Sequence, residues 1–208
     1  MKVKVCGMTD LHTVLTAIQY GADAIGFVFA ESKRRITVKK AKEIIQQLPA
    51  GILKVGVFVN EEKEQIEKII EQSGINVVQL HGDETPQFCS YFTVPVIKAI
   101  SIETEKDIAE IEEYKCDYIL LDSPKGKYRG GNGIVFNWDL LKKCQLRGRN
   151  IILAGGLTSE NVVSGIKLVN PYMVDVSSGV ETDGKKDPEK INNFIKAVKE
   201  YKREDIKC

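Results

Sequence analysis

The chain has 208 residues, 43% of them hydrophobic and 28% charged, with a formal net charge of +1. That length excludes a small stapled fold and suits one α/β domain with a sizeable core. The near-zero charge gives no electrostatic case for a nucleic-acid or membrane-surface partner, so an anionic ligand must be held by local groups.

The apolar runs are short and β-branched, and they alternate with helical patterns. The first strand is predicted at 2–6 (KVKVC), with a helix start following at Thr9–Asp10. The second, 23–29 (DAIGFVF), precedes a helix over 37–48 that opens on Thr37 as a cap and stops before Pro49. The third, 53–59 (LKVGVFV), precedes a helix over 61–73 with Ile66, Ile69 and Ile70 at helical spacing. Strands follow at 76–81 (NVVQLH) and 95–100 (PVIKAI), then a helix over 103–114. The sixth strand is 117–122 (DYILLD) and the seventh 150–154 (NIILA). A helix over 158–169 opens on TSEN and turns Val162, Val163 and Ile166 inward. The eighth strand, 172–177 (YMVDVS), leads to a helix over 187–201 with Pro188 at its first position. Residues 202–208 form a polar tail expected to fray.

Eight strands alternating with helices, beginning on a strand and ending on a helix, are the pattern of a (β/α)8 TIM barrel, here one domain over residues 1–208. It is lean beside the usual size of about 250 residues. The alternative, a doubly wound open sheet, lacks a GxGxxG after its first strand.

Cys6, Cys89, Cys116, Cys144 and Cys208 are widely spaced and form no CxxC. They suggest no disulfide framework, zinc site or redox motif. Neither a signal-peptide core nor a bilayer-length apolar run is present, so the expected compartment is the reducing cytoplasm.

In such a barrel the C-terminal strand ends converge on one rim, where catalytic groups gather. Alternation puts Val3 and Val5 toward the helices and Lys4 and Cys6 inward, with Cys6 nearest the rim. Cys6 is either a reactive thiol or a small buried hydrophobe. Asp122 ends the sixth strand, and the glycine-rich loop 123–133 behind it is either a mobile lid, the favoured reading, or a flexible connection. Gln79 and His81 share a face of the fourth strand. His81 either orients a substrate or plugs the barrel top, whereas His12 lies on a helix surface. The cluster ESKRRIT (31–37) follows the second strand, and an arginine there could clamp a carboxylate. Gly155–Gly156 and Ser177–Ser178–Gly179 follow the last two strands, where barrels often bind phosphate. Asp175 shares the inward face with Ser177.

Taken together and in order, KVCGMT, GADAIGFVFAESKRRIT, VGVFVNE, VVQLHGDE, ILLDS with GGNG behind it, LAGGLTSENV and VDVSSGVET resemble the phosphoribosylanthranilate isomerase family of tryptophan biosynthesis. The resemblance spans nearly the whole chain. It implies a (β/α)8 barrel catalysing an Amadori rearrangement of N-(5′-phosphoribosyl)anthranilate, without metal or cofactor. It implies Cys6 as general base, Asp122 as general acid and Arg34 as the anthranilate-binding residue, with Arg35 one step away. It places Asp175 near the sugar, and Gly155, Gly156, Ser177, Ser178 and Gly179 around the phosphate; His81 is a substrate-binding candidate from its place at the end of the fourth strand. Met8, Arg129 and Asn132 depart from the family's usual residues, but none removes a group that the chemistry needs.

Acid and base must hold opposite protonation states, so their surroundings must differ. Lys4 sits about 6.5–7 Å below Cys6 along the strand. Its ammonium could lower the thiol pKa or pair with Asp175 instead. Competing readings are a histidine-pathway isomerase with a carboxylate in place of Cys6, a lyase such as indoleglycerol phosphate synthase, and a non-catalytic phosphate-binding barrel. The partner common to most of these is a small phosphorylated molecule. Monomer and homodimer both fit the sequence.

Overall fold

The computed structural model describes residues 1–124, 137–143 and 148–201. Eight parallel strands close into a barrel in sequence order: β1 (Lys2–Cys6), β2 (Ala24–Val28), β3 (Leu53–Phe58), β4 (Val77–Leu80), β5 (Val96–Ser101), β6 (Tyr118–Asp122), β7 (Ile151–Leu153) and β8 (Met173–Val176). β8 returns to pair with β1, with Lys4 opposite Asp175. The strand count, order and closure are those expected from the sequence.

Strand alternation sorts the apolar residues into two cores. The inner one stacks Ala24, Val55, Val77, Ile97, Leu120, Ile152 and Met173. The outer one, between strands and helices, takes Val3 and Val5 together with Val14, Ala17, Phe194 and Val198. Each fully buried Val, Ile or Phe in these layers contributes about 1.5–3 kcal/mol.

The helices are α1 (Leu11–Tyr20), α2 (Val38–Ile45), α3 (Lys63–Ser73), α4 (Pro86–Cys89), α5 (Glu105–Glu110), α6 (Val162–Val169) and α7 (Pro188–Glu200). Side-chain caps start most of them. Asp10 accepts from the Thr13 N–H, Thr37 from Lys40, Thr85 from Phe88, and Asp187 from Glu189 and Lys190. Each such cap is worth about 1 kcal/mol.

Several boundaries differ from the sequence expectation. α2 stops at Ile45, and α5 is short, continued by a 3-10 turn over Ile111–Glu113. α6 begins four residues later than TSEN suggested. The cause is Asn161: its carbonyl accepts from the Thr158 N–H at 2.9 Å and its amide donates to the Gly156 carbonyl at 2.9 Å. TSEN is therefore a turn that fixes the loop after β7. The sequence reading lacked α4, a 3-10 helix over Trp138–Lys143, and a hairpin of β9 (Glu181–Thr182) and β10 (Lys185–Lys186). All but the first two residues of the loop 123–133 lie outside the described residues, as do Cys144 and the tail 202–208.

Candidate active site

The C-terminal ends of the strands surround a cavity of about 560 Å³. Cys6, Gln79, His81, Asp122 and Asp175 line it, as do Arg34, Gly155, Gly156, Ser177 and Ser178. Nine of the ten site residues expected from the sequence thus meet in one place. The tenth, Gly179, sits behind the wall, where an added Cβ would lie 1.9 Å from the Leu157 carbonyl oxygen. At that distance only a glycine lets the loop after β8 rest against the loop after β7.

Cys6 ends β1 and is 8% exposed. Burial pushes its thiol pKa up, while the Lys4 and Lys186 ammoniums pull it back and Asp175 adds to the rise. The facing residue on β2 is Gly26, whose added Cβ would lie 2.6 Å from the Cys6 sulfur. The backbone carbonyl of Cys6 accepts a hydrogen bond from the Ser177 hydroxyl at 3.1 Å.

Lys4 is fully buried, and its Nζ donates to Asp175 Oδ2 at 2.8 Å. Of the two partners that the sequence left open, Asp175 takes the direct bond, and the same ammonium acts on Cys6 through its charge. Burial works to lower the Lys4 pKa, yet Asp175 and Cys6 leave it raised. Burial raises the Asp175 pKa against the pull of Lys4. Asp175 Oδ1 is buried and has no hydrogen-bond partner among the described residues.

Asp122 ends β6 and is 3% exposed. Its Oδ1 accepts from the Ser123 N–H at 2.8 Å and the Ser123 hydroxyl at 3.3 Å. Its Oδ2 lies 3.1 Å from His81 Nε2, close but out of hydrogen-bond alignment. His81 Nδ1 is 3.1 Å from the Gln79 amide nitrogen, so this pairing makes Nδ1 the acceptor and leaves the imidazole proton on Nε2. His81 therefore stands beside the acid candidate as an oriented group. His12 is exposed, as expected.

Gly155 and Gly156 have φ of +79° and +61°, a left-handed backbone that suits glycine. A Cβ at Gly155 would lie 2.5 Å from the Ser123 nitrogen and 3.1 Å from Asp122 Oδ1. With Ser177 and Ser178 opposite, these loops present small residues and main chain to the cavity, the surface a phosphate needs.

Arg34 lines the cavity, and Arg35 is exposed at its edge. Arg34 Nε and Nη2 donate to the two oxygens of Glu181 at 2.6 and 2.9 Å. Lys186 Nζ also reaches Glu181, at 2.8 Å, and donates to the Ser177 carbonyl at 2.8 Å. Burial works to raise the Glu181 carboxyl, but Arg34 and Lys186 outweigh it and hold it at about 2.

The sequence reading named neither Glu181 nor Lys186. The available signal was Asp183–Gly184, both at positive φ, the tight-turn pair of a two-residue hairpin. It also passed over Glu84 and Lys98, a buried pair 2.7 Å apart. Lys98 donates to the Gly82 carbonyl, and Glu84 accepts from the N–H groups of Gly82 and Asn60, which fixes the turn after β4. Among the described residues, no three His, Cys, Asp or Glu side chains group to hold a metal, and no helix is long and apolar enough to cross a membrane.

Residues 3–197 match the family model for N-(5′-phosphoribosyl)anthranilate (PRA) isomerase. A curated relative of that name from Bacillus cereus (strain B4264) is 55% identical over 202 residues, covering 96% of this chain and 98% of the relative. The crystal structure of phosphoribosyl anthranilate isomerase from Thermotoga maritima superposes with a TM-score of 0.88 at 42% identity, covering 96% of this chain and 98% of that one. A structure of the isomerase in complex with reduced 1-(o-carboxyphenylamino)-1-deoxyribulose 5-phosphate superposes with a TM-score of 0.85 at 41% identity, with the same coverage. With the barrel closed, the thiol and the carboxylate facing one cavity and the match running through nearly every strand, this chain belongs to the N-(5′-phosphoribosyl)anthranilate isomerase family.

Proposed function

We propose that this chain converts N-(5′-phosphoribosyl)anthranilate to 1-(2-carboxyphenylamino)-1-deoxyribulose 5-phosphate, the isomerisation step of tryptophan biosynthesis. The observation that carries the reading is that Cys6 and Asp122 line the same cavity from opposite sides of the strand order, on β1 and β6.

The Asp122 carboxyl delivers a proton to the ring oxygen as the C1′–O bond breaks, while the aniline nitrogen lone pair forms the protonated imine. The Cys6 thiolate then removes the C2′ proton, and the imine takes up the electron pair. The resulting enolamine gives its hydroxyl proton back to Asp122 and takes the proton held by the Cys6 thiol at C1′, forming the ketone and restoring the thiolate. The protonated imine is the electron sink, so the steps need no further group. Lys4 and Lys186 supply positive charge beside Cys6. Asp175 Oδ1 and the Gln79 carbonyl are buried and unpartnered, and both suit sugar hydroxyls. Gly155, Gly156, Ser177 and Ser178 receive the phosphate, with Gly179 shaping their loop. Arg34 receives the anthranilate carboxylate at the other end. Anchoring both ends holds C2′ and the ring oxygen between base and acid.

The cytoplasm is the proposed compartment. Cys6, Cys89 and Cys116 are all unbridged, and the base must stay reduced to work.

The test is turnover of freshly generated phosphoribosylanthranilate by the purified chain, beside Cys6→Ala and Asp122→Asn. Wild-type turnover that collapses in both variants supports reaction and roles together. Turnover surviving Cys6→Ala overturns the base. A wild type that binds phosphate without turnover overturns the enzyme in favour of a phosphate-binding barrel.

A further inference from the structure

Beyond the groups that touch the substrate, the cavity carries a charged assembly on its Arg34 side. Glu181 is at its centre, with its side chain 6% exposed. Arg34 grips it along one edge of the guanidinium, through Nε and Nη2. Lys186 approaches Glu181 Oε1, and its own side chain is 6% exposed. Lys33 stands 3.7 Å from Oε2 but is 55% exposed, so solvent weakens it.

Two consequences follow from this geometry. First, the opposite edge of Arg34, Nη1 with the second Nη2 hydrogen, bonds no described residue and belongs to a side chain that lines the cavity. A guanidinium clamped on one edge offers the other as a fixed fork, the geometry that reads a carboxylate. Second, two buried cations share one buried carboxylate. The cluster keeps one positive charge for an incoming anion, while neither side chain has to be ordered at the moment of binding.

The same cluster is wired to the phosphate loop. Lys186 donates to both the carbonyl and the hydroxyl of Ser177, and the Ser177 hydroxyl donates to the Cys6 carbonyl. The stem of Arg34 in turn lies on Gly7, where an added Cβ would be 2.4 Å from Arg34 Cδ. Cys6, Ser177, Lys186, Glu181, Arg34 and Gly7 thus form a closed circuit of contacts around the base.

We propose that Glu181 is a specificity-determining positioning residue: it aims Arg34 at the substrate carboxylate. The proposal rests on Arg34 as the carboxylate-binding residue. Glu181 itself acts through Arg34 and makes no contact with the reacting atoms.

The experiment measures binding to the full chain by calorimetry. The probes are reduced 1-(o-carboxyphenylamino)-1-deoxyribulose 5-phosphate, its counterpart lacking the ring carboxylate, and inorganic phosphate. Wild type should prefer the carboxylated probe, and Arg34→Met should lose that preference. Glu181→Gln should weaken the carboxylated probe by about tenfold or more while changing the other two less than about twofold. In the Arg34→Met background, Glu181→Gln should then cost nothing further, because its effect passes through the arginine. Full preference retained in Glu181→Gln overturns the proposal. So does an equal loss for all three probes, which marks a residue that merely holds the loop. Preference surviving Arg34→Met overturns the assignment of Arg34 instead, and the proposal falls with it. Should Glu181→Gln not fold, Glu181→Asp keeps the charge and draws the guanidinium back, and the same selective loss is expected.

Discussion

Lys4 and Asp175 meet at 2.8 Å inside the barrel, from directly paired positions on β1 and β8. The ammonium is wholly enclosed, so it cannot exchange its partner for water. Lys4→Met should leave Asp175 as an uncompensated buried carboxylate and cost about 3–5 kcal/mol in urea unfolding. It should also remove the cation that pulls the Cys6 thiol pKa down. Burial and Asp175 then act unopposed by Lys4, so the rise of kcat/KM with pH should move to higher pH. An unchanged pH–rate profile would show that Lys4 serves Asp175 alone.

Gln79 holds His81 by one hydrogen bond, and His81 stands 3.1 Å from the acid candidate. Gln79→Leu should leave the barrel folded but free the imidazole to rotate. Misplacement of this kind costs up to about 10²-fold in rate, so kcat should fall, and KM should rise as well because leucine lacks the carbonyl that suits a sugar hydroxyl. Equal kcat in the two proteins would remove His81 orientation from the mechanism.

The Glu84–Lys98 pair is buried on both sides, outside the strand barrel. Lys98→Met should destabilise the protein by about 3–5 kcal/mol, because the buried Glu84 carboxylate loses its cation. Adding Glu84→Gln should recover part of that loss, since the buried charge is then gone. Urea midpoints of the two single variants and the double variant test this. A double variant less stable than Lys98→Met would mean that the hydrogen bonds from Glu84 to Gly82 and Asn60 outweigh the charge term.

Glu181 carries a pH signature of stability. Its carboxyl is held at about 2 against an ordinary 4.5, so the folded state favours the charged form. That contribution is fully present above 4.5 and is lost as pH falls from there toward 2. Glu181→Gln should therefore lose stability at neutral pH and show a shallower fall on acidification than wild type. Parallel urea midpoints from about pH 5 to pH 2.5 would remove Glu181 from the acid response.

The barrel was legible because buried parallel strands are written as uninterrupted β-branched runs, and YILLD or MVDV admit few other readings. The inward pair Lys4 and Cys6 followed from alternation alone. Lys98 escaped for the converse reason: it points toward the helices, where a strand lysine reads as solvated, and its partner Glu84 lies in a different βα unit. TSEN was misread because an asparagine side chain can cap a turn as well as start a helix, and here it bonds Gly156. The hairpin over 181–186 was hidden by size, since two-residue strands carry no periodicity.

Gly26 and Gly155 give the site a property that no list of functional groups conveys. One faces the sulfur of Cys6 and the other the carboxyl of Asp122, and an added methyl at either would press on them at 2.6 and 3.1 Å. The reactive walls are thus kept clear by positions that contribute no chemistry. A single methyl there should silence the enzyme while leaving every reactive group in its sequence. Attempts to widen the substrate range by randomising the inner wall should therefore leave these two chemically mute positions untouched.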